Sequence, residues 1–114
     1  MKNILRLSWV ATLLISSLCF ADWEGDGLKA LSRNEFQNAV RHFTDGMLHQ
    51  DSKSMYQLLI LVTENRLPRS FFTSDIVSRY RASAESRDPL GQNTFGFMNQ
   101  QGVGVQANRS LQVV

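Results

Sequence analysis

Side chains able to do chemistry are sparse in this chain, and the best-spaced of them are His42, Asp45 and His49. At i, i+3 and i+7 they fall on one face of a helix, where two imidazoles and a carboxylate could hold a divalent cation. No further ligand cluster accompanies them, so a solvated helix face is the simpler reading. Serine is frequent, yet none stands in the Gly-x-Ser-x-Gly context that exposes a nucleophile on a sharp turn. Gly102-Val103-Gly104-Val105 lacks the lysine and hydroxyl of a phosphate loop, so it reads as the exit from a helix. Asn108-Arg109-Ser110 has the spacing of a glycosylation sequon. No catalytic centre and no cofactor are expected. Arg79 and Arg87 are eight positions apart and share a face if both are helical, with Arg81 turned away. They are candidate contacts to a protein partner, set against the plain alternative of a solvated surface.

The elements that would position these groups begin after a leader. Lys2 and Arg6 precede the apolar run Leu7 to Phe20, and Cys19-Phe20-Ala21 puts small residues where a signal peptidase reads them. This pattern predicts a secretory signal peptide over 1–21, cleaved after Ala21, and a periplasmic or secreted product with no membrane attachment afterwards. An uncleaved anchor is the alternative, but the run is shorter than the roughly 20 residues a spanning helix needs. Lipidation at Cys19 is a second alternative, and Leu18 is not the small residue that would precede a lipidated cysteine.

Cys19 is the one cysteine of 114 residues, so residues 22–114 would cross an oxidising compartment without disulfides. The chain holds 12 Lys and Arg against 10 Asp and Glu, and losing Lys2 and Arg6 leaves ten of each sign. No basic face or run of like charge remains, which argues against nucleic acid or an anionic membrane as ligand. Residues 22–114 are enough for one small domain held by packing alone.

Hydrophobic spacing predicts helices throughout. Leu28 and Leu31 suggest a short first helix that becomes regular by Leu28, with Arg33-Asn34-Glu35 as its turn. Phe36, Ala39, Val40, Phe43 and Met47 form one apolar stripe, with Gly46 a candidate point of close approach. Asp51-Ser52 offers a cap to Met55–Val62, which is apolar all round and fits a surrounded helix better than a strand. Glu64 to Pro68 breaks it, Ser70 to Thr73 is loop, and Thr73 or Ser74 caps a helix with Ile76, Tyr80 and Ala84 at every fourth position. Asp88-Pro89 ends that helix and starts another, whose inner side carries Phe95 and Met98. Ala82, Ala84 and Gly96 are read as close-approach positions, Tyr56 and Tyr80 as core-edge aromatics, and Gly102 and Gly104 as the residues that let the chain reverse. Asp51 and Asp88 each lie between two helices, 37 residues apart, a period typical of stacked helix pairs.

Those residues resemble the Sel1-like repeats, relatives of the tetratricopeptide repeats. Tyr80, Ser83-Ala84 and Asp88 match the family's first block, Gln92, Phe95, Gly96 and Met98 its second, and Gly102, Gly104 and Val105 its third. Asp22-Trp23-Glu24 with Gly27, Leu28, Ala30, Phe36 and Ala39 is similar to the opening of secreted bacterial members. Departures occur at Asn99, in place of a tyrosine, at Leu59, in place of a glycine, at Asn65 to Arg69, which lacks Gly-x-Gly, and at Gln112.

The resemblance implies an all-α fold, a short right-handed α-solenoid of antiparallel helix pairs over 22–114, about two repeats with the last incomplete. It implies a non-catalytic protein–protein interaction module, or an immunity-type inhibitor that neutralises a toxic envelope enzyme. Disulfide-rich hydrolases within the family are a poor comparison for a chain without mature cysteines. The short C-terminal end leads to the expectation of a partly exposed apolar strip at Phe95, Phe97 and Met98. Together with Arg79 and Arg87 this strip forms the expected partner-binding set, and it is also a candidate edge for self-association.

Overall fold

The computed structural model describes residues 21–104, so the expected leader (apart from Ala21), the sequon and the C-terminal stub lie outside the described residues. Within them the chain is all-α. Its helices are α1 (Trp23–Ser32), α2 (Phe36–Leu48), α3 (Ser52–Thr63), α4 (Ser74–Glu85) and α5 (Pro89–Gln100). A 3-10 turn, Arg69–Phe71, interrupts the stretch read as plain loop between α3 and α4.

Local chemistry fixes the helix ends. The Asp22 carboxylate accepts from the Gly25 amide at 2.9 Å, so α1 begins at Trp23 and not near Leu28. Acidic Glu24 and Asp26 in its first turn favour the positive end of the helix dipole. Gly25 and Gly27 both lie within this helix. Gly27 is buried because the Phe43 ring lies over it, and a Cβ there would meet Phe43 Cδ1 at 2.6 Å. Leu28, expected on the inner side, is 42% exposed, and Ala30 takes the core position. Thr73 caps α4 through the Ile76 amide and Asp88 caps α5 through the Leu90 amide at 3.1 Å, with Pro89 at the first helical position. Asp51 occupies the cap of α3 but does not bond its backbone; its carboxylate accepts instead from the Ser54 hydroxyl at 2.6 Å.

α3 is the central helix. It packs against α2, α1 and α5, while α1 packs on α2 and α4 on α5. That explains an apolar surface running all round it: Met55, Leu58, Leu59, Leu61 and Val62 are each almost completely buried. The pairs α2–α3 and α4–α5 repeat one another at 37 residues. α2 and α4 end at Leu48 and Glu85, α3 and α5 begin at Ser52 and Pro89, and they end at Thr63 and Gln100. Left-handed residues follow the same period, Gln50 with Arg87 and Asn65 with Gly102. So do the helix-exit bonds, where the Arg66 amide reaches Leu61 O at 2.8 Å and the Val103 amide reaches Met98 O at 3.0 Å.

Inside each pair the helices meet at a glycine facing a serine, and the two residues trade places between pairs. Gly46 of α2 faces Ser54 of α3, where a Cβ on the glycine would meet Ser54 Cβ at 2.6 Å. Ser83 of α4 faces Gly91 of α5, whose Cβ would come 2.7 Å from the Ser83 carbonyl oxygen. The close-approach residue of α4 is therefore Ser83, not Ala82, which is exposed, or Ala84, which is half-buried. Gly96 corrects a second expectation, since a Cβ there meets nothing within 4 Å. It lies in open space and no close packing offsets its helix cost.

These two glycines should respond oppositely to alanine. Gly46→Ala forces Ser54 and Trp23 apart and is expected to destabilise by about 1–3 kcal/mol, the usual cost of overpacking. Gly96→Ala is expected to stabilise by about 0.5–1 kcal/mol through helix propensity alone. Urea unfolding of both variants checks the pair of signs.

Candidate interaction surfaces

The histidine face does not assemble a site. The His49 ring stacks on Trp23, with centroids 4.7 Å apart and 17° between planes, and its Nδ1 lies 2.8 Å from the Asp45 carbonyl oxygen. A carbonyl can only accept, so Nδ1 carries a hydrogen and this nitrogen has no lone pair to give a cation. Among the described residues no group of three His, Cys, Asp or Glu side chains is placed to hold a metal. His49 instead fastens the start of α1 to the end of α2.

The two aromatics expected at the core edge separate. Tyr56 is 36% exposed, whereas Tyr80 is 1% exposed and its hydroxyl donates to the Met55 carbonyl at 2.5 Å. This bond runs from α4 to α3 and is the buried polar link between the two helix pairs. Phe72 packs edge-on against the Tyr80 ring at 5.0 Å. Desolvation by burial pushes the Tyr80 phenol well above its ordinary pKa, so it stays protonated and keeps donating. Asp88 supplies a second tie. A hydrogen bond from Ser52 is the main reason its carboxyl lies below the ordinary value, with lesser help from the Leu90 and Gly91 amides. That bond joins the start of α5 to the start of α3.

The expected partner-binding set is dispersed. Met98 is 0% exposed and belongs to the core, while Phe95 and Phe97 are half-buried. The strip is therefore narrower than its sequence spacing suggests, because Met98 points inward beside Gly91 and Thr94 on the buried side of α5. Arg79 lies on α4, 3.7 Å from Asp75 one turn away. Arg87 has left α4 and sits in the left-handed turn at φ 68°, so helical spacing from Arg79 no longer applies and the two do not share a helix face. Arg81, read as turned away, lies over the Phe95 ring at 5.9 Å.

A different concavity emerges between α1 and α2. It is an open cleft of about 280 Å³ lined by Asp26, Lys29, Arg33, Glu35, Asn38 and His42. Asn38 donates to the Glu35 carboxylate at 3.0 Å, which holds one wall. The left-handed turn at Asn34 brings the end of α1 beside the start of α2 and so gathers charges of both signs. Sequence reasoning missed it because the cleft depends on a tight turn that folds Lys29 and Arg33 back over Asn38 and His42. The Lys29–Arg33 spacing of one helical turn was its only local signal.

Thr94, 2% exposed, has a hydroxyl without a hydrogen-bond partner. Its counterpart one repeat earlier, Gln57, donates to Glu24 of α1 at 3.3 Å, whereas the residue 37 positions after Glu24 is Leu61, which offers no side-chain acceptor. Thr94→Val should then be neutral or stabilising by up to about 1 kcal/mol, and Tyr80→Phe destabilising by about 1–2 kcal/mol, both read by urea unfolding.

The Asp88 tie adds a pH signature. Its folded-state pKa is depressed, so its contribution is present above the ordinary carboxylate range and fades as pH falls through the folded value. The stability difference between wild type and Asp88→Asn, measured by thermal melts from pH 7 downward, should shrink below about pH 4.

No family model, curated protein or solved structure matches the chain.

Proposed function

We propose that this chain is a non-catalytic interaction module of the Sel1-like repeat type, a short right-handed α-solenoid that leaves the cytoplasm and works by seating a protein partner. The observation that carries this reading is the recurrence of a whole helix pair at 37 residues, in helix ends, left-handed turns and exit bonds alike. Repeated pairs of this kind give extended surfaces built from many helices, a geometry suited to holding a polypeptide. Among the described residues the two titratable groups with shifted pKa values, Tyr80 and Asp88, are both engaged in joining the helix pairs.

The contact surface we favour is the α1–α2 cleft. Lys29, Arg33, Asp26 and Glu35 place both signs of charge around an open concavity, and such charges give specificity and orientation at little desolvation cost. A partner segment bearing its own alternating charges would be complementary. Phe95 and Phe97 with Arg81 form the competing surface.

Affinity capture from envelope extracts with the full chain tests this reading, using Lys29→Glu/Arg33→Glu and Phe97→Glu as comparisons. The expected result is a discrete protein that survives Phe97→Glu and is lost, by about ten-fold or more in affinity, on charge reversal in the cleft. Loss on Phe97→Glu alone moves the contact to α5. Absence of any retained protein under conditions where the chain is folded overturns the interaction reading. If the captured protein is a toxic envelope enzyme, rescue of cells expressing it would establish the immunity role.

A further inference from the structure

The charges lining the α1–α2 cleft are ordered along its length. Asp26, Lys29 and Arg33 stand at i, i+3 and i+7 on α1, so all three belong to one wall of the groove. Glu35, Asn38 and His42 repeat that spacing on the α2 wall. A three-residue connection, 33–35, turns α2 back along α1, so Glu35 lies at the Arg33 end and His42 at the Asp26 end. Among the described residues none of the four charged groups forms an ion pair with another. Glu35 is engaged by the Asn38 amide instead. Two cations therefore face the groove near the turn, and one carboxylate faces it at the opposite end. Charges of opposite sign are kept apart rather than spent on each other.

We infer that this groove reads an extended segment of a protein partner carrying an acidic and a basic side chain two positions apart. The inference deepens the interaction reading above and rests on it. The spacing follows from helix geometry. A rise of about 1.5 Å per residue puts Asp26 about 4.5 Å from Lys29 and about 10.5 Å from Arg33 along the axis, hence about 7.5 Å from the point midway between them. In an extended chain residues i and i+2 point to the same side and lie about 6.7 Å apart. Residues one or three apart point to opposite sides and cannot both enter the groove. The acidic side chain sits between Lys29 and Arg33, which repel one another at one turn's separation until an anion lies between them. The basic side chain then reaches Asp26. A free amino acid, whose two charged groups share one carbon, cannot span this distance. Because the groove is open, the charges select among segments more than they add affinity.

A library of short displayed peptides with randomised central positions, selected on the full chain and counter-selected on Lys29→Glu/Arg33→Glu, tests the spacing. Asp26, Lys29 and Arg33 are exposed, so the variants are expected to fold, which melting curves check; Lys29→Ala serves as a milder second variant. The expected result is enrichment of acidic and basic residues two apart, by about ten-fold over the same pair one or three apart. Synthetic Glu-Ser-Arg and Glu-Ser-Glu peptides in a Gly/Ser frame, followed by fluorescence anisotropy, supply the second readout. Wild type should prefer Glu-Ser-Arg, and Asp26→Lys should reverse that preference by about ten-fold. Enrichment of cleft-dependent peptides with another spacing overturns the inference and leaves the interaction reading intact. An Asp26→Lys variant with the wild-type preference also overturns it. So does a selection that yields no cleft-dependent peptide, and the interaction reading is then decided by the affinity capture alone.

Discussion

Everything in this fold depends on two helices being allowed to come unusually close at one point. At Gly46 and at Gly91 the absence of a side chain lets a serine of the partner helix occupy the space a Cβ would fill. That contact is the point of close approach within each pair. With the serine and glycine locked together, Phe43 and Tyr80 at equivalent positions both end fully buried. Phe43 then lies on Gly27 of the preceding helix and Tyr80 reaches Met55 of its own. One steric fact therefore propagates from a helix pair to the stacking of pairs.

Stacking is held by few polar links and much apolar area. The Tyr80 hydroxyl and the Ser52–Asp88 bond are directional and fix how α4–α5 sits on α3. The apolar contribution comes largely from α3, whose Met55, Leu58, Leu59, Leu61 and Val62 are all buried. The loop between the pairs takes part too. Arg69 donates to the Gln101 carbonyl at 3.2 Å, and Val77 lies where a Cβ on Gly104 would fall, so the 3-10 turn, the start of α4 and the exit of α5 are one packed corner.

Much of this was legible because the chemistry was local. The α2 stripe, the Asp88-Pro89 junction and the reversal at Gly102 and Gly104, with φ of 71° and 72°, follow from spacing and from residue types with narrow conformational uses. The surrounded character of α3 was visible in its unbroken apolar run. Illegible positions were those where one residue type has several uses. Gly27 makes room for the Phe43 ring, whereas Gly96, read as a close-approach position, makes no contact. Spacing placed Arg79 and Arg87 together only on the assumption of a continuous helix, and the left-handed turn at Arg87 removed that assumption. Met98 was rightly read as facing inward yet wrongly counted in an exposed strip; the two cannot both hold for one side chain. The α1–α2 cleft is tertiary in origin and left almost no trace in the sequence.

The exchange of glycine and serine between the two pairs has a consequence for how such a chain can change length. A helix transplanted alone from one pair to the other would set serine against serine, which cannot fit, or glycine against glycine, which leaves a hole. Duplication or deletion of a whole pair disturbs neither. The heritable building block is therefore the hairpin and not the helix, and the sequence carries a parity rule that any lengthened descendant would have to respect.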